Sequence, residues 1–192
     1  MALGRHKLEP LQNWDDPNAL PTWYRSGDIN ADVWTTYGTK PINTNVEDPS
    51  SGQLNDPSGI AIDRLNGKLY VADDIASDPS VLRGTLTRFN LFNGQPEQFV
   101  STDDGSLAKL RGLAIDPDGQ YLYAASDHCN VVYKLSTSLS ILAAIGGSSC
   151  TATPHPSAFQ DPSDVEVDAA NGIWVTDAGS QLISFYFYPF GP

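Results

Sequence analysis

From Leu54 onward the chain is built of short apolar runs separated by polar turns, and the pattern repeats. Three ten-residue phrases align: Leu54-Asn-Asp-Pro-Ser-Gly-Ile-Ala-Ile-Asp63, Leu107-Ala-Lys-Leu-Arg-Gly-Leu-Ala-Ile-Asp116 and Phe159-Gln-Asp-Pro-Ser-Asp-Val-Glu-Val-Asp168. Their closing aspartates are 53 and then 52 residues apart. Each phrase runs into a turn rich in Asn, Asp and Gly (Arg64–Gly67, Pro117–Gly119, Ala169–Gly172) and then into a second apolar run: Leu69–Asp73, Leu122–Ser126 and Ile173–Asp177. Asn-Gly or Asp-Gly between two such runs predicts a hairpin, because both residues tolerate the positive φ that a tight turn demands.

Third runs follow at Thr85–Leu91, Val131–Leu135 and Leu182–Tyr188, the first displaced by an insertion around Ile75–Arg83. Fourth runs are readable at Glu97–Val100 and Ile141–Ile145. No segment carries a helical period. Four short antiparallel strands repeated at about 40–50 residues predict an all-β fold, a β-propeller with one four-stranded blade per repeat. A β-sandwich has short strands too, but would not restate one phrase three times. The blades are expected at 54–100, 107–146 and 159–188, within a propeller segment 21–192 that follows an N-terminal extension 1–20. A spare strand is expected at 33–38, with Thr22–Arg25 as a further candidate.

The phrase Leu54-x-x-Pro-x-Gly-Ile-Ala-x-Asp63, followed by Asn66-Gly67 and Leu69-Tyr-Val-Ala-Asp73, resembles the NHL repeat. The second unit has Leu110 where the pattern has Pro, and the third has Asp164 where the others have Gly59 and Gly112. The resemblance covers about 135 residues, Leu54 to Tyr188. It implies a propeller, and a function drawn from binding scaffolds, lyases, lactonases and receptor ectodomains.

Composition narrows the classes. Eleven Lys+Arg face 23 Asp+Glu, a net charge of −12, which opposes the phosphate attraction underlying nucleic-acid binding. No apolar run approaches the roughly 20 residues of a membrane span, and no apolar core follows Met1–Pro10 to make a signal peptide. With 40% hydrophobic residues the chain is able to form a core, and its 16 Gly and 14 Pro suit a turn-rich fold.

The candidate chemistry lies in loops and on the first strands. Asp63, Asp116 and Asp168 precede the hairpin turns and are expected to accept backbone N–H groups there. The loops after the second runs gather Asp73, Asp74, Asp78, Asp127, His128 and Asp177, an acidic rim expected to be a binding face. Such a rim could take Ca²⁺, which favours oxygen ligands, although no contiguous calcium-loop spacing is present. Glu166 stands where the other units have Ala61 and Ala114, making it a candidate axial carboxylate, either solvated in a wet channel or ligating a metal. Cys129 and Cys150 fall in loops that emerge on one face of an up-and-down blade. A disulfide is expected between them, pointing to an oxidising compartment, with two thiols in a reducing one as the alternative.

Asp127-His-Cys-Asn130 and the following Val-Val-Tyr-Lys134 also look like a stretch of the peptidyl-hydroxyglycine amidating lyases, zinc enzymes on a propeller. Their metal-binding histidines would correspond to Ser58, Arg111 and Ser163 here, so the imidazoles are missing. His6, His128 and His155 are out of phase with the repeat. No nucleophile elbow or P-loop is present.

The expectation is therefore a non-catalytic binding or scaffolding module, extracellular or secreted, with no cofactor required. A metal-dependent propeller enzyme (lactonase, lyase or strictosidine-synthase-like) and a structural subunit of an extracellular assembly are the alternatives. Sugars O-linked to the stretch Ser148–Ser157 would suit either extracellular role. Three blades are too few to close a ring. The partner is thus another protein or a second copy: two chains in a six-bladed ring, a strand-lending filament, or the missing blades of a longer chain, the last being preferred.

Overall fold

The computed structural model describes residues 52–74, 84–102, 105–146, 150 and 159–187. Their strands are β1 (Pro57–Asp63), β2 (Lys68–Asp74), β3 (Gly84–Asn90), β4 (Pro96–Thr102), β5 (Leu110–Ile115), β6 (Tyr121–Ser126), β7 (Val131–Ser136), β8 (Ile141–Ile145), β9 (Pro162–Val167), β10 (Gly172–Asp177) and β11 (Leu182–Phe187). The expected extension 1–20, the strands at 22–25 and 33–38, Asp78, His6, His155, Tyr188 and all of Ser148–Ser157 except Cys150 lie outside the described residues.

The strands form three antiparallel meanders in chain order: β1-β2-β3-β4, β5-β6-β7-β8 and β9-β10-β11. The first two are four-stranded blades, and the third has three strands among the described residues. β5 packs against β1 on one side and β9 on the other, so the first strands of all three blades lie side by side at the centre. Ile62, Ile115 and Val167, one from each, converge on a central cavity of about 220 Å³. This is the all-β propeller architecture read from the repeats, with the ring incomplete. No helix of the described residues is long and apolar enough to cross a membrane.

Local chemistry sets each hairpin. Asp63 accepts the Asn66 amide at 3.0 Å. Asp116 accepts those of Gln120 and Tyr121 at 2.6 and 3.0 Å, and Asp168 those of Ala170 and Gly172, both at 2.8 Å. Gly67, Gly119 and Asn171 take the left-handed position in the respective turns, with φ of 64°, 65° and 63°.

Strand alternation gives every blade two faces. On the first, Ala61, Tyr70, Ala72 and Leu86 point toward the second blade, where they meet Leu113, Leu122, Tyr133 and Leu135 in one buried cluster. On the second, Ala114, Tyr123, Ala125 and Val132 point toward the third and meet Val165, Ile173 and Val175. The small residues are needed because the blades converge at the centre. A Cβ on Gly112 would lie 2.6 Å from the Asp164 Cα and 2.8 Å from the Val165 nitrogen, both backbone atoms of β9.

Candidate functional site

The loop end of the wedge, opposite the hairpin turns just described, holds the expected acidic rim. At its base each blade closes the same backbone bond, from the last residue of the second strand or the one after it to the residue just before the first. Asp74 N donates to Asp56 O at 3.2 Å, Asp127 N to Lys109 O at 3.1 Å and Ala178 N to Asp161 O at 2.9 Å. A side chain reinforces each closure. Asp73 is buried, and its Oδ1 accepts the amides of Asn55 and Asp56 at 2.9 and 2.8 Å. Asp177 is buried likewise, its two oxygens accepting from Gln160 at 3.0 Å and Asp161 at 2.8 Å. In the second blade Ser126 takes the part, donating to Ala108 O and accepting the Cys129 amide, both at 3.2 Å.

The two aspartates titrate in opposite directions. Burial is the dominant influence on Asp73 and raises its pKa above the ordinary carboxyl value, although the Asn55 and Asp56 amides pull it down. Burial also works against the charge of Asp177, but there the amides of Gln160, Asp161 and Ser180, with the Ser180 side chain, outweigh it and hold the carboxyl low. In both cases the carboxylate is committed to shaping the loop.

What remains outward gathers where the second and third blades meet. Arg111 Nη2 donates to Asp127 Oδ2 at 3.2 Å. Asp161 lies against the same pair, its carboxyl raised by desolvation and then by the neighbouring Asp127, with Arg111 opposing. His128, half-buried, is next to Asp127 in the chain, and Cys129 is bonded to Cys150. The structure thus brings Asp127, Arg111 and Asp161 together and keeps Asp73 and Asp177 in separate blades as loop braces. Sequence reasoning did not single out Asp161 or Ser126. The signals were there: Asp56-Pro57 and Asp161-Pro162 are equivalent dipeptides, and Ser126 holds the place of Asp73 and Asp177.

Glu166 is exposed on β9 and pairs across the strands with Trp174, which in turn pairs with Phe185. It therefore shares the broad face of the third blade that points away from the second. Among the described residues no three His, Cys, Asp or Glu side chains are grouped to hold a metal ion. Of the positions corresponding to lyase histidines, Ser58 donates to Leu110 O, Ser163 lies 3.0 Å from the Thr176 hydroxyl, and Arg111 makes the pair with Asp127.

A second recess, about 430 Å³, opens between the first two blades at the turn end and is lined by Lys68, Tyr70, Arg88, Gln120 and Tyr121 among others. Its cations are already engaged, because both share the Glu97 carboxylate, Lys68 at 2.7 Å and Arg88 at 3.1 Å. Arg88 also donates to Thr137 O at 2.7 Å, stitching the blades together.

No family model matches the chain, and the search of curated proteins found no match. Among solved structures, the Dos1 propeller superposes with a TM-score of 0.51 at 6% identity, over 70% of this chain and 31% of that one. A luciferin-regenerating enzyme gives a TM-score of 0.45 at 17% identity, over 68% of this chain and 40% of that one. The chain thus spans well under half the length of either. At 6% identity the likeness to the Dos1 propeller concerns the fold alone, and that fold is the propeller.

Proposed function

We propose that the chain is a non-catalytic binding or scaffolding module of the NHL-like propeller type, which engages a protein or ligand partner through its loop end in an extracytoplasmic setting. One observation carries the reading: the deepest acids of the rim, Asp73 and Asp177, have their oxygens turned onto backbone amides. Groups used in this way fix a surface and are not free to act on a substrate. The outward Arg111, Asp127 and His128 then form a charged patch on a rigid frame, the usual place for recognition on a scaffold of short strands. The Cys129–Cys150 bond supports the setting, since such bonds persist in oxidising compartments.

The test is site-specific photo-crosslinking in the native secretory milieu, with the probe at His128 on the loop end and at exposed Leu65 on the opposite end. A discrete adduct from position 128, absent from position 65 and lost in the Arg111→Glu variant, is expected. Adducts that do not distinguish the two ends would refute the loop face as the binding surface.

A further inference from the structure

The recess between the first two blades carries an inference that concerns the turn end of the wedge and does not rest on the reading of the loop end. We propose that this recess is a binding site for a small neutral saccharide.

Hydrogen bonds between the blades fix its walls. Nearer the axis Asn66 Nδ2 donates to Gly119 O at 3.2 Å. Further out Arg88 Nη1 donates to Thr137 O at 2.7 Å and Gln98 Nε2 to Ser138 O at 2.8 Å. The space they frame, about 430 Å³, falls within the roughly 300–1,000 Å³ of small-molecule sites, and rigid walls spare a ligand the cost of ordering them. Tyr70 lines this space and is fully buried, yet its hydroxyl makes no hydrogen bond of regular geometry among the described residues. That hydroxyl lies among the charges of Asp63, Arg88 and Glu97, the first two of which also line the recess. A buried hydroxyl in this condition costs stability and calls for a partner. An acceptor on a bound ligand would supply one.

The lining sets the class of ligand. It contains no aliphatic side chain, so an apolar molecule would find little to bury itself against. Its charges balance, since Lys68 and Arg88 share Glu97 and Asp63 supplies a second carboxylate. Neither an anion nor a cation is therefore favoured. What remains is a mixed set of donors and acceptors. Lys68 and Arg88 hold N–H groups beyond those given to Glu97 and Thr137, and the Tyr70 hydroxyl and the Gln120 amide stand with them. A sugar hydroxyl donates and accepts at once, which suits such a set. The Tyr121 ring adds a surface for the C–H face of a pyranose. Lys134, outside the lining, lies over that ring 3.6 Å from its centroid and steadies it.

Saturation-transfer NMR on the full chain tests this. The neutral probes are the methyl glycosides of glucose, galactose, mannose and N-acetylglucosamine, with lactose and cellobiose, and the charged probes are citrate and spermidine. At least one neutral probe is expected to receive saturation at millimolar concentration and to raise the Tm, while the charged probes do neither. Gln120→Ala, at an exposed site, is expected to weaken that binding about twofold to tenfold, as the loss of one hydrogen bond does. Tyr70→Phe is expected to weaken it by a similar factor while melting at or above the wild-type temperature, a pairing that a damaged fold would not produce. Silence from every neutral probe would overturn the proposal. Tighter binding of citrate or spermidine would overturn it in favour of a charged ligand, and saccharide binding indifferent to both substitutions would place the sugar elsewhere on the chain and overturn it too.

Discussion

Replacing Gly112 by alanine probes the junction between the second and third blades directly. The added Cβ would meet Asp164 Oδ1 at 2.1 Å, the Asp164 Cα at 2.6 Å and the Val165 nitrogen at 2.8 Å. The exposed Asp164 side chain can swing aside, but the two backbone atoms cannot, so β9 must retreat by about 1 Å to reach ordinary contact distance. Overpacking of this kind costs about 1–3 kcal/mol, and a backbone obstruction puts it near the upper end. Alanine restricts the unfolded chain more than glycine does, returning about 0.4–1 kcal/mol. The net expectation is a loss of about 2 kcal/mol, or roughly 4–8 °C in Tm for a domain of this size. Urea denaturation followed by circular dichroism measures it, with Asp164→Ala and the double variant completing a cycle. Coupling between the two sites should be small, since removing the carboxylate leaves the backbone contacts in place. A Gly112→Ala protein within about 0.5 kcal/mol of wild type would refute the close approach of β9 to β5.

Three further predictions follow from the braces and the core. Asp177 is held low in the folded state, so its stabilisation is present above the ordinary carboxyl pKa and lost as pH falls through the folded value, whereas the raised Asp73 contributes most at low pH and loses that contribution as pH rises. The stability lost in Asp177→Asn should accordingly shrink between pH 6 and pH 3 while that lost in Asp73→Asn grows, and slopes of the same sign in denaturant titrations would contradict the assignment. Burial pushes the Tyr70 pKa up to about 12, with the neighbouring Arg88 opposing, and the hydroxyl makes no hydrogen bond of regular geometry among the described residues. Tyr70→Phe should therefore be neutral or stabilising in thermal melts, since an unpartnered buried hydroxyl costs about 1–3 kcal/mol, and a large loss would reveal a partner. Reducing the Cys129–Cys150 bond opens a loop with a sequence separation of 21. By loop entropy this should cost about 3 kcal/mol, visible as a lower Tm with reductant and as an unchanged Tm if the bond is absent.

Hairpins and turn aspartates were legible in the sequence because both are local. Asp63 reaches Asn66, and Asp168 reaches Gly172, within a few residues of themselves. The all-β propeller class followed from repeating that local unit. The braces at the loop end were half legible. Asp73 and Asp177 stood out as acids, but which amides they hold depends on the chain folding back over 16 to 18 residues. Ser126 escaped notice because it performs the task with a hydroxyl. Least legible was exposure at the wedge ends. Ile60, Leu113 and Val165 are interchangeable in the repeat, and only the presence or absence of a blade behind them separates exposed from buried. Glu166 illustrates the same point: its departure from Ala61 and Ala114 was legible, and its cross-strand partner Trp174 was not.

The three repeats are blades packed in chain order about a common centre. Methyl NOE spectroscopy tests it most directly. Contacts are expected from Ala61, Ala72 and Leu86 to Leu113, Leu122 and Leu135, and from Ala114, Ala125 and Val132 to Val165, Ile173 and Val175, with no cross-peaks joining the first set to the last. A single network in which the core of the first repeat touches that of the third, as in a two-layer sandwich, would contradict it.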